Sequence, residues 1–284
     1  MIILITGASG LLGHDLIKSL SRNYKIFAIY WTKKPFLNSK NKNVHWIKYD
    51  LSKKINLKVS PNVIINCVAV HELSRKKKIK DYLESNIFSM INVIDFAKKK
   101  KVKKIINLST ISIYGKINVN LLHEKYIPVD PSLLGVTKYI SENLLYQQPI
   151  NFVNLRLPGV LCSSKNYTRP WLKTIINKIK NNKKIEMYNE KNNFNNVIDA
   201  EEIARLILKV LNSKKIIRDT FNLSASGSLK LLSIINKIKR YYNSKSKIYL
   251  RKNKQKSYLI SVSKIKKKLK FYPASTEKII DRNL

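Results

Sequence analysis

Gly7, Gly10 and Gly13 stand in a GxxGxxG spacing, directly after an apolar run and at the start of a helical one. The chain has seven glycines, and three of them fall here. The spacing suits a strand-to-helix turn laid over a diphosphate. Gly7 permits the tight turn, Gly10 removes the Cβ that would block a pyrophosphate, and Gly13 lets the helix pack closely on the strand. With Ser9, Leu11 and Leu12 between the glycines, the start of the helix offers free N–H groups and the positive end of its dipole. This is dinucleotide-binding chemistry. At the end of the second strand an acidic residue would bond a ribose 2′-hydroxyl. Here the chain reads Tyr30-Trp31-Thr32-Lys33-Lys34, with no carboxylate. The hydroxyl of Thr32 and the ammonium of Lys33 favour a 2′-phosphate, so NADP is expected ahead of NAD. Asp50-Leu51, closing the third strand, suits an adenine: carboxylate to the exocyclic amine, leucine against the ring.

The elements that must hold these residues follow from alternating runs. Strands are expected at Ile2 to Thr6, Lys25 to Tyr30, Val44 to Tyr49, Val63 to Val68, Lys104 to Ser109 and Phe152 to Arg156. Helices are expected over Leu11 to Leu20, about Ile79 to Lys99, and after Asp130-Pro131, with Asp130 at the N-cap and Pro131 in the first turn. Strands without polar alternation, separated by helices, indicate a parallel sheet buried on both faces. The fold class is therefore α/β: a doubly wound, Rossmann-type parallel sheet with a smaller C-terminal substrate-binding lobe. The division expected is 1–162 for the nucleotide-binding domain and 163–284 for the lobe, partly interleaved, with at least one strand returned to the main sheet. Trp171 to Ile179 and Glu201 to Leu211 read as helices of the later region.

In order along the chain, the motifs resemble those of the extended short-chain dehydrogenase/reductase family, the NAD-dependent epimerase/dehydratase group that acts mostly on nucleotide sugars. The resemblance covers nearly the whole chain. It rests on the glycine turn, Asp50-Leu51, Ile65-Asn66-Cys67-Val68-Ala69, Asn86, Ser109 to Gly115, Glu124, Pro128, Pro131, Leu155 to Val160 and Asn196 to Asp199. It implies that Cys67, Val68, Ala69 and Pro158 line the cofactor. It also implies chemistry by a Ser/Thr, a Tyr and a Lys, the last two spaced YxxxK. Residues four apart share a helix face, so the ammonium lowers the phenol's pKa and the phenol exchanges a proton while hydride moves. Thr110 matches the Ser/Thr and Lys138 the lysine, which also bonds the nicotinamide ribose. The tyrosine position is Leu134, and leucine has no proton to give. Tyr30 with Lys34, Tyr49 with Lys53 and Tyr241 with Lys245 keep the spacing, but none lies on the expected active-site helix. With 15 tyrosines and 47 lysines, pairs of this kind arise by chance. His71, just past the fourth strand, is a speculative surrogate acid or base, and His123 a weaker one.

Composition bounds the partners. Lysine plus arginine is 56 against 17 acidic residues, a formal charge of +39. Forty-seven of the 56 are lysines spread along the whole chain, and asparagine and isoleucine are abundant too. A/T-rich codon bias accounts for this profile, and the scarcity of arginine, the better phosphate fork, argues against nucleic acid. Two cysteines in apolar runs make neither a disulfide framework nor a metal site, so no metal is expected. No apolar stretch is long enough to span a bilayer. A cytoplasmic location, a nucleotide-sugar-like ligand and a possible homodimer complete the expectations. The leading reading is an NAD(P)-dependent epimerase, dehydratase or reductase of a nucleotide-activated sugar with an atypical proton-transfer group. The alternatives are a catalytically impaired NAD(P)-binding regulator or assembly subunit, and a nucleic-acid-binding relative.

Overall fold

The computed structural model describes residues 1–32, 41–70, 78–162, 170–251 and 257–284. Its elements run β1 (Ile2–Thr6), α1 (Leu11–Leu20), β2 (Lys25–Tyr30), β3 (Val44–Lys48), β4 (Val63–Asn66), α2 (Ile79–Tyr82), a π-helical turn (Leu83–Phe88), α3 (Ser89–Lys99) and β5 (Lys104–Thr110). A 3₁₀ turn (Ile111–Tyr114), β6 (Leu121–Leu122), α4 (Leu133–Tyr146), β7 (Phe152–Leu157), β8 (Gly159–Leu161), α5 (Pro170–Lys180) and β9 (Ile185–Tyr188) follow. The remainder comprises β10 (Asn193–Phe194), β11 (Val197–Asp199), α6 (Ala200–Asn212), β12 (Arg218–Asn222), β13 (Leu229–Lys230), α7 (Leu231–Tyr241), β14 (Ile248–Arg251), β15 (Leu259–Ile260), α8 (Ser263–Leu269) and α9 (Thr276–Asp281).

The chain forms two compact units that interleave more finely than one boundary at residue 162 describes. The first comprises 1–116, 127–157 and 203–221, and the second 117–126, 158–202 and 222–284. In the first, a seven-stranded sheet has the order β12-β7-β5-β4-β1-β2-β3. The chain winds outward from β1 in both directions, so the strand order reverses between β1 and β4. That switch point is where such sheets open a crevice beyond their carboxyl ends. Residues of β4 and β7 are buried throughout, whereas the edge strand β3 is only half-buried. Apolar side chains fill both faces of the central strands, as parallel strands under crossover helices require. The second unit holds short parallel pairs (β8 with β11, β9 with β14, β6 with β15) and an antiparallel pair, β10 with β13.

Two expectations are corrected. The single helix over Ile79 to Lys99 is interrupted by the π-helical turn. That turn presents Asn86 inward, where its Oδ1 accepts from Val70 N at 3.1 Å and its Nδ2 donates to Thr137 Oγ1 at 2.9 Å. Asp130 is not an N-cap: it has φ +49° and its carboxylate pairs with Lys116 at 2.7 Å. Ser132 caps α4 instead, accepting from Gly135 N.

One feature of the core had no counterpart in the sequence reading. Thr6 Oγ1 donates to Asn66 Oδ1 at 2.6 Å, Asn66 Nδ2 to Asn107 Oδ1 at 3.0 Å, and Asn107 Nδ2 to Asn154 Oδ1 at 2.9 Å. Asn154 Nδ2 then donates to Thr220 Oγ1 at 3.0 Å, which also accepts from the Tyr146 hydroxyl at 3.0 Å. The buried ladder crosses β1, β4, β5 and β7 in register and ends on Thr220 of β12. Asn107→Ala would strand the Asn66 donor and the Asn154 acceptor away from water, at about 1–3 kcal/mol each. Urea unfolding should show a loss of about 2–6 kcal/mol, while Asn143→Ala on the exposed face of α4 stays within about 0.5 kcal/mol. Equal small losses for both would remove the ladder from the account.

Candidate functional site

The glycine turn leaves β1 at Gly7, whose φ of +63° belongs to the left-handed region. A Cβ there would also lie 2.8 Å from the Cys67 carbonyl carbon, so β1 and β4 approach each other only around glycine. At Gly13, a Cβ would meet Gly7 O at 2.6 Å, which fixes the close helix–strand packing. Gly10 is the N-cap of α1, in extended conformation; no side chain caps the helix and no acidic residue stands in its first turn. An uncapped, positively polarised helix start suits an anion.

Beside this turn lies a cavity of about 540 Å³. Of the residues picked out from sequence, Gly7, Ser9, Thr32, Asp50, Leu51, Val68 and Ala69 line it. Gly10, Leu11, Leu12 and Gly13 form the adjoining N-terminus of α1, and Cys67 backs Gly7. Asp50 is part of a tight turn, its Oδ1 accepting from Ser52 N at 2.9 Å and Ser52 Oγ at 2.8 Å. Leu51 is buried within the core cluster that also holds Leu4 and Ile29, and it lines the cavity. Tyr49 and Lys53 line the wall too, but the Tyr49 hydroxyl donates to Lys54 O at 2.8 Å. The sequence reading missed Asp81, Glu84 and Ser85. They reach the cavity from α2 and the π-helical turn, and the irregular winding there leaves no periodic signal. Lys33 and His71 lie outside the described residues. Pro158 is buried at the start of the second unit, and His123 is exposed on that unit. Among the described residues no cluster of His, Cys, Asp or Glu could hold a metal ion, and no helix is long and apolar enough to cross a membrane.

Thr110, at the end of β5, caps the 3₁₀ turn by accepting from Ser112 N at 3.1 Å. That turn packs against the start of α4, and the contact requires glycine: a Cβ on Gly135 would fall 2.3 Å from Ser112 O. Lys138 is buried on α4, with Nζ donating to Val68 O at 3.2 Å, so it reaches the backbone of the cavity wall. Desolvation lowers its pKa to about 8, although Glu142 and Cys67 pull the other way. Burial likewise pushes the Cys67 thiol up to about 12 against the attraction of Lys138. Glu142, one turn beyond Lys138, is held by Arg156 through Nη2 to Oε2 at 2.7 Å and Nε to both oxygens at 3.1 Å. Arg156 Nη1 donates to the Tyr114 hydroxyl at 2.9 Å. Burial opposes the Arg156 charge, but bonding to Glu142 holds its pKa above the ordinary value. Leu134 is buried against Val70 and Tyr82. The arrangement sets a buried, weakly held proton on Lys138 near an anion-compatible turn and the cavity beside it.

The lowered pKa of Lys138 has a pH signature. Between pH 8 and 10.5 the unfolded lysine holds a proton that the native one has released, so stability rises with pH in that window. Relative to Lys138→Met, the wild-type protein should gain up to about 1.4 kcal/mol per pH unit there, and nothing below pH 8. A flat or falling difference in urea unfolding would mean the ammonium is solvated.

Comparison with known proteins agrees with this geometry. Residues 3–224 match the NAD dependent epimerase/dehydratase family. No curated protein sequence matches the chain. Among solved structures, UDP-glucuronic acid 4-epimerase from Bacillus cereus in complex with NAD is 22% identical, with a TM-score of 0.81 over 100% of this chain and 97% of that one. The Bordetella bronchiseptica enzyme WbmG in complex with NAD and UDP is 18% identical, with a TM-score of 0.82 over 99% and 93%. UDP-N-acetylglucosamine 4-epimerase from Methanobrevibacter ruminantium M1, in complex with UDP-N-acetylmuramic acid, is 18% identical, with a TM-score of 0.82 over 99% and 96%. A family match across more than three-quarters of the chain, on a Rossmann-type fold with the glycine turn at its switch point, has one meaning: the chain belongs to the NAD dependent epimerase/dehydratase family.

Proposed function

We propose that the protein binds a nicotinamide dinucleotide and carries out epimerisation, dehydration or reduction of a nucleotide-activated sugar. The observation that carries the reading is the cavity between the glycine turn and Asp50-Leu51, with Lys138 reaching its Val68 wall. A dinucleotide fits the residues present: Gly10 has no Cβ to obstruct a diphosphate, α1 has no side-chain cap to compete with one, and Asp50 and Leu51 offer an acceptor and an apolar surface to adenine. When bound, the nicotinamide would supply a hydride acceptor or donor. Lys138 would hold the nicotinamide ribose and Thr110 the reacting sugar hydroxyl. Leu134 stands at the family's tyrosine position, so the proton-transfer group differs from the usual one. That same leucine is what favours the second reading, a dinucleotide-holding regulator or assembly subunit without turnover. The solved relatives with NAD and UDP-containing ligands support the ligand classes.

NADP is the preferred dinucleotide in this proposal, because the sequence closing β2 and following it, Tyr30-Trp31-Thr32-Lys33-Lys34, has no carboxylate. Titration followed by protein fluorescence should give a smaller Kd for NADPH than for NADH. The reverse order would assign selection to Asp81 and Glu84, which also line the cavity and whose charge repels a 2′-phosphate. Absorbance at 340 nm, with UDP-glucose, UDP-N-acetylglucosamine or UDP-glucuronic acid added to the loaded protein, separates turnover from the regulator reading. Two free cysteines fit a reducing compartment, and we place the protein in the cytoplasm on that ground.

The proposal includes a homodimer. Phe88 and Ile91 near the start of α3, and Leu133, Val136 and Ile140 along one side of α4, are exposed apolar residues. Such a stripe on two neighbouring helices is self-complementary under a two-fold axis. Sedimentation should show a dimer that becomes a monomer in Ile140→Asp. A wild-type monomer at micromolar concentration would contradict this.

A further inference from the structure

Aromatic and apolar side chains gather at one end of the cavity. Ile29 and Tyr30 reach it from the end of β2 with Trp31 just past them, and Tyr49 and Leu51 reach it from the chain after β3. The pairing of the two strands brings these residues together: Tyr30 lies opposite Lys48, and Tyr49 N donates to Tyr30 O at 2.9 Å. In the order β5-β4-β1-β2-β3, β2 and β3 lie on one side of β1 and β4 on the other. Lys138 bonds to Val68, just past β4, and so marks the opposite end of the crevice. A dinucleotide with its diphosphate over the glycine turn after β1 and its nicotinamide ribose at Lys138 therefore brings its adenine to the aromatic end.

The three rings there are held differently. Tyr49 packs on the core cluster, and its hydroxyl donates to Lys54 O and accepts from Asn56 N at 3.0 Å. Tyr30 is half-buried and meets Trp46 edge-on, with ring centroids 6.1 Å apart and planes at 70°. Trp31 lines the cavity yet stays 55% exposed. A lone exposed indole on open surface would carry no meaning. This one stands in the cavity wall that also holds Leu51, at the end where the base must go. An indole offers a broad π-face that stacks on any base without a hydrogen-bond partner. The sequence closing β2 supplies no carboxylate for the adenosine ribose, so contact with the base itself has more to contribute.

We propose that Trp31 is a binding residue for the adenine half of the dinucleotide, its indole stacking on the base that Leu51 also touches. The proposal rests on the dinucleotide reading above and deepens it, naming the side chain that holds the base where the ribose-binding carboxylate is lacking.

The test uses the full chain with Trp31→Ala and Trp31→Phe, titrated by calorimetry with NADPH, NADH and ADP-ribose. Trp31→Ala should weaken all three ligands alike, by about 5- to 150-fold in Kd. Trp31→Phe keeps a ring and should recover most of that loss. Because Trp31 is more than half exposed, both variants should fold, and an unchanged Tm checks this. A second readout uses ADP-ribose, which does not absorb tryptophan emission. It should quench the wild-type fluorescence by stacking, and the quench should vanish in Trp31→Phe, where Trp46 and Trp171 remain. A Trp31→Ala protein that binds all three ligands within about twofold of wild type overturns the proposal and leaves the dinucleotide reading standing. So does a quench that persists undiminished in Trp31→Phe. If the wild type binds none of the three at millimolar concentration, both fall.

Discussion

The site's geometry depends on the row of side-chain amides that pins the sheet near its carboxyl edge. A parallel sheet filled with isoleucine and valine has little in its apolar contacts to forbid a slip, and a slip of one residue would send every side chain to the other face. Thr6, Asn66, Asn107 and Asn154 remove that freedom, because a slipped strand would leave buried amides without partners. Everything site-like hangs from this row. Gly7 follows Thr6 directly, Cys67 to Val70 follow Asn66, Thr110 ends the strand of Asn107, and Arg156 stands two residues beyond Asn154. The register of the ladder is thus the register of the crevice.

A second constraint acts one layer away, on α4. A buried lysine is costly unless its environment shares the charge. Here Val68 O accepts from Lys138, and Glu142 sits one turn away, itself neutralised by Arg156. Arg156 is in turn bonded to Tyr114 in the 3₁₀ turn that Thr110 caps. The strand end carrying Thr110 and the helix carrying Lys138 are therefore coupled through fixed, fully bonded charges. Asn86 adds a neutral tie between the loop after β4 and the same helix. Preorganisation of this kind makes a lysine proton available without loosening the fold.

Much of this was legible in the sequence, for identifiable reasons. Buried strands such as Ile2–Thr6 and helices such as Leu11–Leu20 announce themselves by uninterrupted or periodic apolar runs. The glycine turn is legible because left-handed φ and close approach leave glycine no substitute. The ladder was not: a lone asparagine within or at the end of an apolar strand names no partner, and only side-by-side alignment of strands far apart in sequence turns Thr6 and three asparagines into one structure. The π-helical turn was equally hidden, since one extra residue per turn leaves the apolar period of its neighbours intact, and with it went Asp81, Glu84 and Ser85. Asp130 looked like a cap because Asp-Pro is a common helix opening, yet Lys116 claims its carboxylate.

The central claim is that a dinucleotide lies along the carboxyl edge of this sheet, and a crystal of the full chain grown with NADP⁺ or NAD⁺ tests it most directly. Density should place the diphosphate over the amides of residues 7 to 13, the adenine against Leu51, and the nicotinamide ribose within hydrogen-bonding reach of Lys138 Nζ. Density for the dinucleotide anywhere else, or a crevice that stays empty at millimolar cofactor, would contradict the account.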